Sequence, residues 1–284
     1  MDMSHRKQSL LVRAGNLLIS VPALRKAAWK WSYNDFSRKD RGTSWDFLNY
    51  GYLGGDDEPA PLLEAEDERN RYCIQLYHLI SRFVDLEGKV VLEVGCGRGG
   101  GLAYLAKYLK PKLITGVDIA ENAIGYCKQT HRAENCSFRL GEAEHLPFED
   151  ATFDVVLNVE SSHCYPSVER FFHDVARVLR DDGVFFWADL NAARNDDKRI
   201  SNVGCSTLPP TLTMTYEEDI TKKVVKAMDL MNDDRERALL SMFPKVMREV
   251  TLENFGIKGS EFYDDMVTGK IVYLMRVYRK SRAS

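Results

Sequence analysis

Val90-Val-Leu-Glu-Val-Gly-Cys-Gly-Arg-Gly-Gly-Gly101 joins an aliphatic run, one acid and a series of closely spaced glycines. The aliphatic residues are typical of a buried parallel strand. The glycines permit positive φ angles and let a ligand approach main-chain N–H groups. A helix-like run from Leu102 to Leu109 comes next. The stretch therefore predicts a strand, a glycine loop and a helix that together bind a nucleotide-like ligand.

The acid before the loop discriminates among such ligands. Gly95, Gly97 and Gly100 satisfy G-x-G-x-x-G, which alone would also admit a dinucleotide. A carboxylate two residues before the first glycine would crowd a pyrophosphate, but it suits a ligand that presents a cationic amine. S-adenosylmethionine (SAM) carries such an amine, so Glu93 favours SAM. The competing interpretation is that Glu93 only stabilises the N-terminus of the following helix.

Spacing farther along the chain supports the same ligand. The run Leu113–Asp118 predicts a second strand that ends in an acid, 23 residues after Gly95. A carboxylate about 20 residues beyond a nucleotide loop accepts hydrogen bonds from ribose hydroxyls. A third strand is predicted within Cys136–Phe148, and Phe153–Asn158 predicts a fourth. Asp118 is therefore the predicted ribose ligand.

These elements resemble, in order from Val90 to Asn158, the class I SAM-dependent methyltransferases. The shared pattern includes Gly-Glu-Ala at 141–143, Leu-Pro-Phe at 146–148 and Phe-Asp-Val-Val at 153–156. The resemblance implies these cofactor contacts: Glu93, Gly95, Cys96 and Gly97 at the methionine end, Asp118 and Ile119 at the ribose, Glu142 and Ala143 at adenine, and Asn158 at the end of the fourth strand. The competing interpretation of Glu142 is a solvated turn residue.

Composition and charge exclude several function classes. The chain has 284 residues, of which 44% are apolar and 29% charged, as in ordinary globular proteins. Its net charge of −3 gives no electrostatic case for nucleic acid. The six cysteines lack C-x-x-C spacing, so they predict reduced thiols in a cytoplasmic protein and no metal site. No run approaches the ~20 apolar residues that span a bilayer.

Residues 1–72 are predicted to form an N-terminal lid on a SAM-binding core of residues 73–284. Residues 1–45 hold nine Lys or Arg against three Asp, together with many Leu and Trp. Such a segment could touch a membrane surface through residues 1–32. A helical lid over the substrate, or a contact in a homodimer, is the favoured interpretation because Pro22 interrupts any long amphipathic face.

The segment Trp45–Gly55 is dense in aromatic residues and glycines. It resembles the F-x-N-Y-G-Y segment of methyltransferases of the phthiotriol and phenolphthiotriol dimycocerosate type, which act on lipid-like polyketides. In that subgroup an N-terminal segment closes over the sulfonium. The resemblance implies that Tyr50 and Tyr52 are cofactor-lid residues, and a packed turn is the alternative.

The predicted catalytic residues follow strands 4 and 5, the latter predicted at Gly183–Asp189. Neighbouring parallel strands end at the same edge of a sheet, so His163 and Asp189 should meet at the cofactor. His163 is the predicted base that takes the proton of an aliphatic hydroxyl, with Asp189 fixing its tautomer. Glu160 is a second candidate base or shapes the acceptor site. A structural role for His163 is the alternative.

The predicted fold is α/β: a doubly wound, seven-stranded Rossmann-like sheet with an N-terminal helical lid and a helical insertion after strand 5. A helix from Glu64 to Val84 should precede the sheet. The insertion, at about residues 192–265, should cap the substrate chamber with a helix at Glu217–Met231. Thr211–Thr215 predicts a strand, and Ile271–Tyr278 predicts the last one.

The predicted reaction is O-methylation of a hydroxyl on a hydrophobic polyketide or lipid-like small molecule. A carbon-methylating enzyme of the sterol or quinone type would share every cofactor motif. A SAM-fold protein that catalyses cyclisation without methyl transfer is a second rival. A SAM sensor would leave His163 and Asp189 without a role, and a dinucleotide oxidoreductase would leave Glu93 without one.

Overall fold

The computed structural model of the protein describes residues 22–39, 45–192, 208–245 and 248–282. Within these ranges, seven strands form one sheet. The strands are β1 (Val90–Val94), β2 (Leu113–Asp118), β3 (Cys136–Leu140), β4 (Phe153–Val159), β5 (Leu179–Ala192), β6 (Leu212–Asp219) and β7 (Ile271–Lys280). Their order across the sheet is β3-β2-β1-β4-β5-β7-β6.

Helices cover both faces of this sheet. In the described ranges they are α1 (Pro22–Lys39), α2 (Arg71–His78), α3 (Gly100–Tyr108), α4 (Glu121–Thr130), α5 (Val168–Val178), α6 (Thr221–Met242), α7 (Arg248–Asn254) and α8 (Glu261–Val267). Short 3-10 turns lie at Glu68–Asn70, Leu79–Arg82 and Ser162–Cys164. None of the helices described is both long and apolar enough to cross a membrane.

The aliphatic run of β1 occupies the middle of the sheet. Val91 pairs in parallel with Ile114 of β2 on one side and with Val155 of β4 on the other. Successive strand residues point to opposite faces, so Val91 joins one hydrophobic core and Leu92 the other. This burial on both faces explains why β1 reads as a continuous apolar run. The predicted seven-stranded doubly wound fold is confirmed.

Aromatic packing holds the part of the sheet that carries the predicted catalytic residues. Phe171 and Phe172 of α5 meet Phe185 of β5 edge to face, with ring centroids 5.8 and 5.2 Å apart. Tyr278 of β7 stacks on Phe185 at 5.5 Å and meets Phe172 edge to face at the same distance. Such pairs each contribute about 0.5–1.5 kcal/mol beyond the area they bury. Strand β5 is therefore rigidly placed between α5 and β7.

The predicted helix from Glu64 to Val84 is wrong in extent. Only Arg71–His78 is α-helical, with 3-10 turns on either side. The acidic residues before it remain in turns, where Glu64 and Asp67 bind Lys107 of α3 at 2.7 and 3.0 Å. These contacts between elements replace the continuous helix that periodicity alone suggests.

The insertion after β5 is not purely helical, because it also contains an edge strand of the sheet. The predicted strand Thr211–Thr215 continues to Asp219, and α6 begins at Thr221. Pairing with β7 explains the longer strand, since Glu217 lies opposite Arg276 and binds its Nε at 2.6 Å. The predicted lid residues 1–21 and insertion residues 193–207 lie outside the described residues.

Candidate active site

A cavity of about 380 Å³ lies at the carboxyl ends of the parallel strands. Helix α1, segment 46–50 and α7 enclose it together with the loops that follow β1, β2, β3 and β4. Its volume falls within the range of about 300–1,000 Å³ that is usual for small-molecule sites. The position agrees with the rule that open α/β sheets bind ligands beyond their strand ends.

The glycine loop forms one wall of this cavity. Gly95, Cys96 and Gly97 all line it. Gly95 has a φ of 76°, and a Cβ added there would lie 1.8 Å from Oγ of Ser161. Only glycine allows the loop to pass so close to the segment after β4. The loop therefore presents bare main chain to the cavity, as a ligand cradle requires.

Glu93 is fully buried beside this loop, although it is not itself a lining residue. Its Oε1 accepts a hydrogen bond of 2.6 Å from the Tyr77 hydroxyl, and Tyr77 does line the cavity. Among the residues that the structure describes, Oε2 has no hydrogen-bond partner. Burial, together with the nearby charge of Asp118, raises the pKa of Glu93 to about 8. An orphaned carboxylate oxygen here fits a ligand that brings a cationic amine.

Asp118 connects the second strand to the glycine loop. Its Oδ2 accepts the N–H of Gly97 at 2.9 Å, and its Oδ1 accepts the N–H of Ala120 at 2.8 Å. Burial raises the pKa of this carboxyl in spite of those bonds. Asp118 and Ile119 both line the cavity, so the structure brings the predicted ribose contacts to the loop.

The predicted adenine contacts Glu142 and Ala143 also line the cavity. Glu142 is half exposed and pairs with Lys26 of α1 at 2.5 Å. Exposed pairs of this kind stabilise a fold by only about 0–1 kcal/mol. Helix α1 is therefore held against Glu142 by a contact that costs little to break.

Asn158 lies beneath the loop and not in the cavity lining. Its Nδ2 donates to the carbonyl of Val94 at 2.8 Å and to the Tyr165 hydroxyl at 3.1 Å. Its Oδ1 is buried without a hydrogen-bond partner within the described ranges. The structure thus gives Asn158 a supporting place behind Val94, while Tyr165 and Ser161 form the wall.

His163 and Asp189 meet as the strand order predicts. His163 Nδ1 lies 2.7 Å from Oδ1 of the fully buried Asp189. The same carboxylate accepts the Ser162 hydroxyl at 2.6 Å and the His163 N–H at 3.0 Å through Oδ2. With Nδ1 bound to Asp189, Nε2 is the ring atom that can exchange a proton with a ligand. His163 lines the cavity, and Trp29 of α1 packs edge-on against its ring at 6.1 Å.

The charge of this pair follows from its surroundings. Burial alone would lower the pKa of His163, but Cys164 and the Asp189 carboxylate hold it well above its ordinary value. Burial alone would raise the pKa of Asp189, but the charge of His163 and the hydrogen bond to it keep the pKa of Asp189 below its ordinary value. His163 is therefore a strong base that must lose a proton before it can act.

Glu160 lines the cavity and interacts electrostatically with His163 and Asp189. Its φ of 51° is left-handed, which is strained for a residue with a side chain and occurs often at functional sites. The Tyr50 N–H and the Tyr273 hydroxyl both donate to its Oε2, at 2.9 and 3.0 Å. Burial raises the pKa of Glu160 to about 8.

The two predicted lid tyrosines occupy different places. Tyr50 lines the cavity, and its hydroxyl donates to the carbonyl of Asn254 at 3.1 Å. Tyr52 is not a lining residue, because its hydroxyl is bound by Glu58 at 2.5 Å and by Lys223 at 2.9 Å. Gly51 separates them with a φ of 80°, so the chain turns between the two side chains.

Comparisons with known proteins identify the family. A methyltransferase domain model matches residues 92–187. The chain is 38% identical to the phthiotriol/phenolphthiotriol dimycocerosates methyltransferase of Mycobacterium tuberculosis over 277 residues, which is 97% of this chain and 98% of that one. It is 40% identical over 253 residues to the fatty-acid O-methyltransferase of Mycolicibacterium smegmatis, covering 89% and 90% of the two chains. The chain belongs to the SAM-dependent methyltransferases.

Solved structures of other methyltransferase-fold proteins confirm the architecture. The geranyl diphosphate C-methyltransferase of Streptomyces coelicolor superposes with a TM-score of 0.61 at 14% identity, over 87% of this chain and 98% of that one. The [4+2]-cyclase SpnF superposes with a TM-score of 0.64 at 15% identity, over 84% and 88%. At such identities the likeness shows the fold alone. SAM is the cofactor of this methyltransferase, and the orphaned oxygen of Glu93 fits its amine.

Sequence reasoning missed several residues of the methyltransferase site. Tyr77 and Trp29 belong to helices whose register toward the cavity is not visible in one sequence. Ser161 and Tyr165 stand in the loop after β4, and their hydroxyl oxygens are 2.5 Å apart beside Gly95. Both residues follow directly after a strand that ends at the predicted cofactor edge of the sheet, and this position is the sequence feature that could have identified them.

Two buried carboxyls should make the ligand-free methyltransferase less stable as the pH rises. Glu93 and Glu160 have pKa values raised from 4.5 to about 8. Their contribution to stability is fully present below about pH 4.5 and is lost as the pH rises through about 8. We therefore expect calorimetry to show a Tm that decreases as the pH rises from about 4.5 to about 8. The variant Glu93→Gln should show a smaller decrease. The exposed control Glu87→Gln should leave the slope unchanged, and a flat wild-type profile would contradict the assignment.

Proposed function

We propose that this methyltransferase transfers the methyl group of SAM to a hydroxyl oxygen of a hydrophobic, lipid-like small molecule. The observation that carries the proposal is the contact between His163 and Asp189 beside the cavity. Such a pair is suited to remove a proton from a weakly acidic nucleophile. The names of the relatives, which include dimycocerosate and fatty-acid methyltransferases, support a lipid-like acceptor.

The apolar part of the cavity supports a hydrophobic acceptor. It is lined by aromatic and aliphatic side chains, among them Trp29, Phe47, Phe243, Val250 and Phe255. Apolar surface of this kind favours an apolar ligand, because such a ligand gives up few hydrogen bonds to water when it binds. An acceptor chain would therefore lie between α1 and α7, with its reacting oxygen toward His163.

The protein residues then carry the proton transfer. Bound SAM supplies a methyl group on a positively charged sulfur, ready for displacement by the acceptor oxygen. Neutral His163 takes the hydroxyl proton at Nε2 as the oxygen attacks, while Asp189 holds Nδ1–H and stabilises the imidazolium that forms. Trp29 and Tyr50 line the cavity beside these groups, where they would exclude water and align the reactants.

A carboxylate acceptor is the second candidate. The pKa of His163 is held well above its ordinary value by Cys164 and Asp189 against the effect of burial. An imidazolium in this place would hold an acceptor carboxylate through a charge-assisted hydrogen bond. In that case His163 would position the acceptor and would not take a proton.

Product analysis tests the proposal directly. The enzyme would be incubated with SAM carrying an isotopically labelled methyl group and with three matched acceptors: a long-chain alcohol, the fatty acid and the alkene. We expect a methyl ether from the alcohol, identified by mass spectrometry and carbon NMR. A methyl ester alone would establish the carboxylate candidate, and a carbon-bound methyl group would overturn O-methylation. Cyclisation or rearrangement of an acceptor without demethylation of SAM would indicate the non-methylating alternative.

The remaining predictions concern partners and location. Leu24 and Trp31 are 45% and 65% exposed on α1, and Trp31 stands at the cavity. These side chains support a membrane contact through residues 1–32, although residues 1–21 lie outside the described part of the chain. Membrane contact, a homodimer and a cytoplasmic location stay predictions, as does the division between residues 72 and 73.

A further inference from the structure

We propose that Glu160 is the counter-charge of the SAM sulfonium and that it lets the enzyme distinguish SAM from the demethylated product S-adenosylhomocysteine (SAH). The two ligands share adenine, ribose, amine and carboxylate groups, and they differ by one methyl group and one positive charge on sulfur. A residue that selects between them must therefore act at the sulfur. This inference rests on SAM dependence and is independent of which acceptor is methylated.

The place of Glu160 in the cavity lining agrees with the position that the covalent structure of SAM predicts for the sulfur. Glu160 is close enough to Tyr77, which binds Glu93, for the two groups to interact electrostatically. Glu160 also interacts electrostatically with His163 and Asp189. With the amine of SAM assigned to Glu93 and the acceptor to His163, we expect the sulfur between them to lie beside Glu160.

The carboxyl group of Glu160 is oriented for a cation. Glu160 accepts two hydrogen bonds, from the Tyr50 N–H and from the Tyr273 hydroxyl, and both reach Oε2. Within the described residues no hydrogen bond reaches Oε1, although the side chain lines the cavity. The left-handed backbone at φ 51° fixes this orientation at the end of β4. One oxygen is thus anchored by the protein and the other is available to a ligand.

The charge on Glu160 should depend on the ligand. The titratable groups that face it are Cys73, Tyr50, Tyr77, Tyr273, His163 and Asp189. Burial raises the pKa of Glu160 to about 8, which keeps the carboxyl protonated in the ligand-free enzyme at about pH 7. A sulfonium stabilises the carboxylate, so binding of SAM should release this proton to solvent. Methyl transfer leaves an uncharged sulfur, and Glu160 then takes one proton back.

Proton-linked calorimetry with SAM and SAH tests the inference without any acceptor. Each ligand would be titrated at about pH 7 in two buffers of different ionisation enthalpy, which gives the number of protons released. We expect SAM to release about one proton more than SAH. Glu160→Gln should abolish this difference and weaken SAM binding about tenfold, while SAH binding changes by less than about threefold. The glutamine side chain can still accept the hydrogen bonds from Tyr50 and Tyr273. The Tm of the Glu160→Gln variant would be measured to confirm that it folds.

Two further variants separate Glu160 from the other titratable groups. Glu93→Gln should reduce proton release for both ligands, because SAM and SAH carry the same amine, and it should leave the difference between them. His163→Gln should also retain the difference. Loss of the difference in the His163 variant would assign the proton to the imidazolium and overturn the inference. Equal loss of SAM and SAH affinity in Glu160→Gln would overturn it as well.

Discussion

Replacing His163 with glutamine should slow methyl transfer to a hydroxyl acceptor by about 10²–10⁴-fold. The loss follows from the geometry, in which Nδ1 is bound to the buried Asp189 at 2.7 Å and Nε2 remains for the acceptor proton. SAM binding should persist, because the glycine loop, Glu93 and Asp118 do not depend on the imidazole. Single-turnover quench measurements at saturating SAM, with calorimetric SAM affinity alongside, would record both quantities.

Two further variants and the pH dependence of the wild-type rate test this role of His163. His173→Gln, at an exposed site on α5, should leave the transfer rate unchanged. Asp189→Asn should also slow the reaction, because the amide no longer stabilises the imidazolium. The wild-type rate should rise with pH, since the pKa of His163 lies well above its ordinary value owing to Cys164 and Asp189. Retention of the wild-type rate in His163→Gln would remove His163 from the role of base.

Gly95→Ala should weaken SAM binding by about 100-fold or more and should lower the Tm. A non-glycine residue at a φ of 76° costs about 1–3 kcal/mol, and each 1.4 kcal/mol corresponds to about a tenfold change in affinity. The added Cβ would also lie 1.8 Å from Oγ of Ser161 and 2.8 Å from the Tyr165 hydroxyl. The loop would have to move away from β4, and its main chain would no longer meet the cofactor.

Gly125→Ala provides the matched control for the loop substitution. Gly125 lies within α4, and a Cβ added there meets no atom within 4 Å. Alanine in a helix interior is favoured over glycine by about 0.5–1 kcal/mol, so this variant should be as stable as the wild type or more so. Calorimetric titration with SAM and thermal melting would compare the two variants. Wild-type SAM affinity in Gly95→Ala would mean that the loop does not form the cofactor cradle.

Local sequence pattern predicted the central part of the fold because that part is built from adjacent residues. The strand, glycine loop and helix of Val90 to Tyr108 follow one another without interruption. The meeting of His163 with Asp189 could also be predicted, since His163 follows β4 and Asp189 lies near the carboxyl end of the neighbouring parallel strand β5. The position of Tyr52 in a motif predicts a cofactor-lid residue. In the structure its hydroxyl is bound by Glu58 and Lys223, and Tyr52 is not among the residues that line the cavity.

The amino-acid sequence by itself predicted the central strand, glycine loop and helix and the order of the strand-end acids, since periodicity and spacing record local structure, while its resemblance to known methyltransferases supplied the family and the cofactor. It did not contain the contacts that close the site. Lys26 meets Glu142 across 116 positions, and Glu160 is bound by Tyr50 and Tyr273 across 110 and 113. Such contacts depend on how whole helices and strands pack. The tertiary structure alone therefore places α1 against Glu142 and brings the Glu160 side chain into the cavity lining.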